Sequence, residues 1–376
     1  MQNPNVLTGA EIAGRKALVI GFKGTSEEHA EENLKELESL SKTLGLTVVM
    51  SLLIRHPDPV YPATYIGKGK IQEVKKTIQQ LCCDLIIFGK ELSPVQQRNL
   101  EDFFGVAVID RTVLILLIFG RHAHTLEGKL QVELAQMTYL LPRLSGSYGK
   151  LSKLGGTIGT RGPGEQKLEV YRRRTRERIR ILNKRIEEIE KHRAIIRASR
   201  QRQNLPVAVL IGYTNVGKST LLNSLTHKQD AVVDNALFST LDPLTRIVYL
   251  GERSYCLISD TVGLLSSLPH HLIAAFRATL EELKFSNLLI CLIDATGFNI
   301  EKQIKTVEDV LEILEIRDKA RITAFNKIDH IDEGELNVLK RRYSDAIFIS
   351  AKTGEGLDIL KDRIKRTVEE YASFKC

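Results

Sequence analysis

The 376-residue chain has no tryptophan, three methionines and five cysteines, and only 6% of it is aromatic. Its apolar residues never run long: the longest stretch, Val113 to Phe119, falls far short of the ~20 residues that a membrane-spanning helix needs. No segment is therefore expected to cross a bilayer. The amino terminus, MQNPNVLTGAEIAGRK, lacks the basic-then-apolar pattern of a secretory leader, so a cytoplasmic address is expected. Cys82, Cys83, Cys256, Cys291 and Cys376 are odd in number and show no CxxC spacing, which argues against both a disulfide framework and a zinc cluster. The neighbours Cys82 and Cys83 precede an apolar strand pattern and are expected in the core. His122 and His124 have no third ligand in view and read as surface or packing residues.

What the chain does have is enough apolar residues, 43%, for two or more globular domains, and 27% charged residues. Its net charge of +8 is concentrated: between Arg161 and Arg200 stand 14 Lys and Arg against 6 Glu, an excess equal to that of the whole chain. The positive field therefore comes from one forty-residue stretch.

Short β-rich runs at Ala17–Phe22, Thr47–Ile54, Asp84–Phe88 and Val106–Asp110 alternate with helical patterns, the signature of an α/β domain on a largely parallel sheet. A helical pattern then runs from Arg111 to about Leu141, with Leu130, Leu134, Met137 and Leu141 on one seam. Gly155 to Gly164, GGTIGTRGPG, carries too much backbone entropy for an element interior. A second helix is expected from Glu165 to Arg200, with Ile179, Leu182, Ile186, Ile189 and Ile196 as its seam. Two seams flanking a flexible loop predict a helical hairpin, an antiparallel coiled coil with a glycine-rich tip. From Leu205 a second α/β pattern follows, with strands expected at Val207–Gly212, Arg246–Leu250, Tyr255–Asp260, Leu288–Asp294, Arg321–Asn326 and Ala346–Ser350, and a helix at Ile273–Phe285. The fold class is α/β, divided into an N-terminal α/β domain (1–125), the hairpin (126–203) and a C-terminal P-loop domain (204–376).

The chemistry is carried by GYTNVGKS, Gly212 to Ser219, placed after an apolar strand and before a helix. In that setting backbone N–H groups surround phosphates, Lys218 reaches the β- and γ-phosphates and the Ser219 hydroxyl ligates Mg²⁺. DTVG, Asp260 to Gly263, ends another strand, where Asp260 holds a Mg²⁺-bound water and the Gly263 amide faces the γ-phosphate. NKID, Asn326 to Asp329, ends a third: a carboxylate there accepts from N1–H and the 2-amino group of guanine, and adenine offers neither donor. SAK, Ser350 to Lys352, supports the guanine O6 from a backbone amide. These strand-end motifs in this order predict a guanine-nucleotide site. A threonine between the first two should complete the Mg²⁺ shell; Thr240 and Thr245 both qualify, and Thr240 is favoured. The candidate catalytic set is Lys218, Thr240 and Gly263, and the candidate metal ligands are Ser219 and Thr240. The nucleotide-binding set is Gly212, Tyr213, Thr214, Asn215, Val216, Gly217, Lys218 and Ser219; Phe238, Ser239, Thr240, Leu241 and Asp242; Asp260, Thr261, Val262 and Gly263; Asn326, Lys327, Ile328 and Asp329; and Ser350, Ala351 and Lys352. YIGKGK, Tyr65 to Lys70, resembles a phosphate loop but lacks its full spacing, and reads as a plain turn before a helix.

FSTLDPLTR, DTVGLL, AFRATLEE, GYTNVGKS, KLQVELAQ, GGTIGTRGPGE, YIGKGK, LSPVQQRNLE and VIDRT together resemble the HflX family, GTPases of the Obg-HflX group. Where this chain reads GEQKLE and DTVGLL, the family often has GETQLE and DTVGFI. The chain also ends soon after its G domain, where some members carry a further domain. The resemblance implies an HflX-type N-terminal domain and a cytoplasmic GTP hydrolase, a magnesium-dependent hydrolase that binds GTP and GDP. It implies a monomer whose partners are the large (50S) ribosomal subunit and its rRNA, acting in ribosome splitting, rescue or biogenesis. The hairpin tip would then reach toward the peptidyl transferase centre. Arg172, Arg173, Arg174, Arg176, Arg178 and Arg180 can neutralise several phosphates at once.

In Ras-like GTPases a glutamine after DxxG orients the attacking water; here Leu264 and Leu265 follow and neither can hydrogen-bond. Asn215 stands where some related GTPases use an asparagine to ligate K⁺, so K⁺ is a candidate activator, with the ribosome as the other. Two competing functions remain at this stage: an RNA-binding assembly scaffold with nucleotide in a structural role, and a transporter subunit, against which the lack of a spanning segment argues.

Overall fold

The computed structural model describes residues 12–24, 28–57, 59–144, 163–202, 205–226, 244–252, 254–261, 263–264, 282–297 and 299–373. The chain falls into two compact units, one of residues 1–121 and 129–186 and one of residues 122–128 and 187–376.

In the first unit, β1 (Lys16–Lys23), β2 (Thr47–Arg55), β3 (Leu85–Phe88) and β4 (Ala107–Asp110) alternate with α1 (Glu28–Thr43), α2 (Lys68–Leu81) and α3 (Pro94–Phe104). The sheet is wholly parallel, in the order β2-β1-β3-β4. Its central strands β1 and β3 are buried almost throughout, as strands covered on both faces must be. Helix α3 shows how local sequence sets an element. Ser93 caps it by accepting from the Gln96 amide, the Gln96 side chain caps in return, Pro94 opens it and Gly105 ends it at φ +75.

The expected helix from Arg111 to Leu141 is two helices, α4 (Arg111–His122) and α5 (Leu126–Arg143). The Thr125 hydroxyl stops the pattern by accepting from the Gly128 amide at 3.0 Å, a cap for the second helix. The seam of α5 is also rotated from the expected one. Leu130, Gln131, Val132, Ala135 and Tyr139 are buried, and Leu134, Met137 and Leu141 only half-buried, because Tyr139 is drawn onto the sheet. Its hydroxyl donates to Asp110 Oδ2 at 2.7 Å at the end of β4. That carboxylate, 1% exposed, also accepts from the amides of Leu92 and Val113 at 3.1 and 3.0 Å. Arg143 closes the network, donating to the Leu92 carbonyl at 2.6 Å with its guanidinium 3.3 Å over the Tyr139 ring.

The long helix α6 runs from Pro163 to Arg202, so Pro163 and Gly164, expected in the tip, form its first turn. Proline at the helix start loses no hydrogen bond. The rest of the tip, residues 155–162, lies outside the described residues, as do residues 145–154. Within the first unit Thr175, Leu182 and Ile186 of α6 are buried. Arg178 makes a two-pronged ion pair with Glu133 of α5, at 2.6 and 2.8 Å, so this arginine is spent on the protein. Arg173, Arg174, Arg176 and Arg180 remain exposed.

In the second unit, β5 (Val207–Gly212), β6 (Leu244–Gly251), β7 (Ser254–Asp260), β8 (Leu288–Asp294), β9 (Arg321–Asn326) and β10 (Ile347–Phe348) form a sheet in the order β10-β9-β8-β5-β7-β6. Only the β6–β7 pair is antiparallel. Helices α7 (Lys218–Thr226), α8 (Ile300–Ile313), α9 (Glu333–Arg342) and α10 (Leu357–Ser373) accompany it. One face of the sheet buries Leu210, Ile258, Ile290 and Ala324 with Leu360 and Ile364 of α10; the other buries Val209, Ile211 and Leu289 with Val307 and Leu311 of α8. From β5 the strand order runs to β7 on one side and β8 on the other. The C-terminal end of β5 is thus the switch point where doubly wound sheets open a crevice for ligands. The helix expected at Ile273–Phe285 lies mostly outside the described residues. Cys83, Cys256 and Cys291 are buried, whereas Cys82 is exposed; it caps α2 at φ 50 and so points away from the core expected for it. The YIGKGK segment is a turn before a helix: Tyr61 and Tyr65 bridge it, and Lys70 pairs with Glu73 at 2.6 Å. No helix is long and apolar enough to cross a membrane, and no cluster of three or more metal-ligating side chains occurs among the described residues.

Candidate nucleotide site

The site begins where β5 runs out of room. A Cβ on Gly212 would lie 2.3 Å from the Leu292 carbonyl oxygen, and one on Gly217 would lie 2.4 Å from Asn326 Nδ2. Gly217 has φ +91 and Asn215 φ +61, reversals of the kind that curl backbone N–H groups into an anion-binding concavity. Asn215 is exposed, and its left-handed backbone by itself favours asparagine.

Lys218 opens α7 and is 6% exposed. Its ammonium donates to the carbonyls of Tyr213 and Gly212 at 2.9 and 3.2 Å. Burial pushes its pKa down to about 8, against the pull of the nearby Asp260 charge. Ser219 Oγ donates to Asp260 Oδ2 at 2.6 Å, and that carboxylate is wholly buried. A hydroxyl and a carboxylate side by side are hard oxygen donors of the kind Mg²⁺ takes, so this pair fits the ion. Thr261 turns its hydroxyl back to the Leu210 carbonyl at 2.6 Å, so its side chain faces the sheet. Thr245 lies in the β6–β7 ladder opposite Ser259, with the two hydroxyls 2.7 Å apart. Phe238, Ser239, Thr240, Leu241, Asp242 and Val262 lie outside the described residues.

At the other end of the crevice, Asn326 joins two loops. Its Nδ2 donates to the Val216 carbonyl at 2.7 Å and its Oδ1 accepts from the Ala351 amide at 2.8 Å. Lys327, at φ 68, extends to Asp294 at the end of β8, Nζ to Oδ2 2.6 Å. Ile328 packs beneath with Ile293 and Phe325. Burial alone would raise the pKa of Asp329, but the Ser350 hydroxyl, its own amide, His330 and Lys352 outweigh it and hold the carboxyl below its usual range. Asp329 therefore stays an acceptor at neutral pH. The fold thus brings Gly212–Ser219, Asp260 and Gly263 together at one end of the crevice and Asn326–Asp329 with Ser350–Ala351 at the other.

Three features here were not read from the sequence. The Asn326 clamp and the Lys327–Asp294 pair depend on contacts 25 or more positions apart; their one trace is an acidic or amide residue ending each apolar strand. The third is the backbone of Leu264. Its amide donates to the Gly212 carbonyl at 3.0 Å and its carbonyl accepts from the Thr214 amide at 2.8 Å, tying the DxxG segment to the phosphate loop.

Family models match along the chain: GTP-binding GTPase N-terminal at residues 31–120, GTP-binding GTPase Middle Region at 122–200 and 50S ribosome-binding GTPase at 207–327. A GTPase HflX of Caldanaerobacter subterraneus subsp. tengcongensis is 45% identical over 367 residues, 97% of this chain and 84% of that protein. The chain belongs to the HflX family of GTPases. The GTPase HflX of Escherichia coli is 38% identical over 96% of this chain and 85% of that protein. The crystal structure of SsGBP with GDP covers 95% of this chain and 99% of that one, at a TM-score of 0.53 and 25% identity. As an HflX GTPase the chain is a GTP hydrolase on a P-loop fold, with the HflX N-terminal and middle regions ahead of its G domain.

Proposed function

We propose that this HflX GTPase is a monomeric cytoplasmic factor that binds the large (50S) ribosomal subunit when GTP is bound and acts in ribosome splitting, rescue or biogenesis. Its working parts are an N-terminal domain (1–125), an rRNA-facing hairpin (126–203) and a G domain (204–376). The observation that carries the ribosomal part is the exposed basic face of α6: Arg173, Arg174, Arg176 and Arg180 face solvent with no partner among the described residues. Such a face holds phosphates of rRNA. The match of residues 207–327 to the 50S ribosome-binding GTPase model supports the same partner.

In the G domain, the amides of Gly212–Ser219 and the Lys218 ammonium hold the phosphates, and Asp329 reads guanine. The Gly263 amide senses the γ-phosphate. Ser219 and Thr240, with Asp260, would hold Mg²⁺, and the ion, when bound, would neutralise charge on the β- and γ-phosphates. Asn215 is the candidate ligand for K⁺.

Replacing Arg172, Arg173 and Arg174 with Gln tests the partner. Affinity for large subunits falls, and the slope of log affinity against log salt shrinks by about 2 to 3 if each arginine meets a phosphate. Unchanged affinity at every salt concentration contradicts the basic-face assignment. GTP turnover that large subunits fail to accelerate favours the scaffold reading, in which nucleotide only stabilises the fold.

A further inference from the structure

The DxxG glycine is followed by Leu264, which is 1% exposed and packs with Val209, Ile211 and Leu283. Its side chain is committed to the core and carries no polar atom for an attacking water. Against Gly263 lies Thr214: a Cβ on Gly263 would sit 2.7 Å from Thr214 Cγ2 and 2.8 Å from Thr214 Cα. Thr214 is 6% exposed, and its Oγ1 has no hydrogen-bond partner among the described residues. Burying a hydroxyl without a partner costs about 1 to 3 kcal/mol. Valine would fill the same volume without that cost, so the hydroxyl calls for an explanation outside stability.

We propose that Thr214 is the water-positioning residue of this GTPase, taking the place that the buried Leu264 cannot fill. This rests on the assignment of the phosphate loop and Gly263 to the γ-phosphate. The Thr214 hydroxyl accepts a hydrogen bond from the attacking water and so holds a water lone pair toward phosphorus. That lone pair forms the new P–O bond as the bond from the γ-phosphorus to the β,γ-bridging oxygen breaks. The electron pair of the broken bond leaves with GDP, and the water's proton passes to the phosphate released; threonine keeps its own proton. Thr214 Oγ1 is buried in this structure, so a water reaches it only when its surroundings open, and slow basal hydrolysis is the expected consequence.

The test is single-turnover hydrolysis of pre-bound GTP by Thr214→Val and Thr214→Ser, with GTP and GDP affinities and the melting temperature measured on the same proteins. Thr214→Val is expected to keep both affinities within about threefold and to melt no lower than the parent, while its hydrolysis rate falls about 10²-fold, the effect typical of losing one positioned hydrogen-bonding group. Thr214→Ser restores the rate to within about threefold. Parent-like hydrolysis by the valine variant overturns the proposal and returns Thr214 to packing. A serine variant as slow as the valine one overturns it too, since the methyl would then be what matters. Loss of nucleotide affinity in step with rate makes Thr214 a binding residue and also overturns it. Failure of the parent protein to bind GTP would instead overturn the site assignment on which the proposal rests.

Discussion

The two α/β units end their parallel sheets in opposite ways. At the end of β4 the buried Asp110 carboxylate is matched by the amides of Leu92 and Val113 and the hydroxyl of Tyr139, with Arg143 beside it. At the end of β5 the polar groups are held at a cost: a lysine with its pKa lowered to about 8, and a threonine hydroxyl without a partner among the described residues. Both units place polar side chains where strands stop. In the first the Asp110 carboxylate is closed by its partners, although the buried Thr112 hydroxyl beside it also lacks one among the described residues; the second adds a buried lysine ammonium. A fully satisfied cluster stabilises, and a strained one marks function.

The sharpest way to separate the two units is to change one carboxylate in each. Asp329→Asn replaces an acceptor with an amide that can donate, so GTP affinity should fall on the order of 10⁴-fold while xanthine nucleotides gain. Competition binding with GTP, XTP and ATP reads this, and unchanged GTP affinity removes Asp329 from base recognition. The folded protein should keep its melting temperature. Asp110→Ala does the reverse: it strands buried donors and should cost about 3 to 5 kcal/mol in urea unfolding, with nucleotide affinity per folded molecule unchanged. A parent-like stability would mean that the Asp110 network holds nothing together.

A smaller effect comes from protons. Bound phosphate favours the charged form of Lys218, whose pKa in the nucleotide-free protein is about 8. Binding of GDP near pH 8 should therefore take up a fraction of a proton, and affinity should decline as pH rises further. Calorimetry in buffers of different ionisation enthalpy measures the uptake; none at pH 8 would mean that the lysine is already fully charged without nucleotide.

Much of this was legible in the sequence, unevenly. Glycines at Gly212 and Gly217 are demanded by a close carbonyl, a close amide and a positive φ, and such local demands leave fixed spacings. The P-loop and the strands around it could thus be read. The capping box of α3 is equally local. The break between α4 and α5 was missed because hydrophobic periodicity continues across it, and a single threonine cap decides the boundary. The seam of α5 turned because Tyr139 answers Asp110 on β4, a contact that no window of neighbouring residues contains. The Asn326 clamp and the partnerless Thr214 hydroxyl likewise exist only once distant loops meet.

The central claim, that the second unit holds its polar groups ready at the expense of its own stability, is tested most directly by Lys218→Met. Because the lysine pKa is lowered from 10.5 to about 8, the unfolded state binds the proton more tightly. The resulting cost, at most on the order of 3 kcal/mol, is fully present below pH 8 and fades as pH rises toward 10.5. Urea unfolding of the nucleotide-free proteins at pH 7, with GDP binding measured alongside, should find the methionine variant more stable than the parent and unable to bind GDP. A variant that is less stable than the parent and still binds GDP would contradict the account.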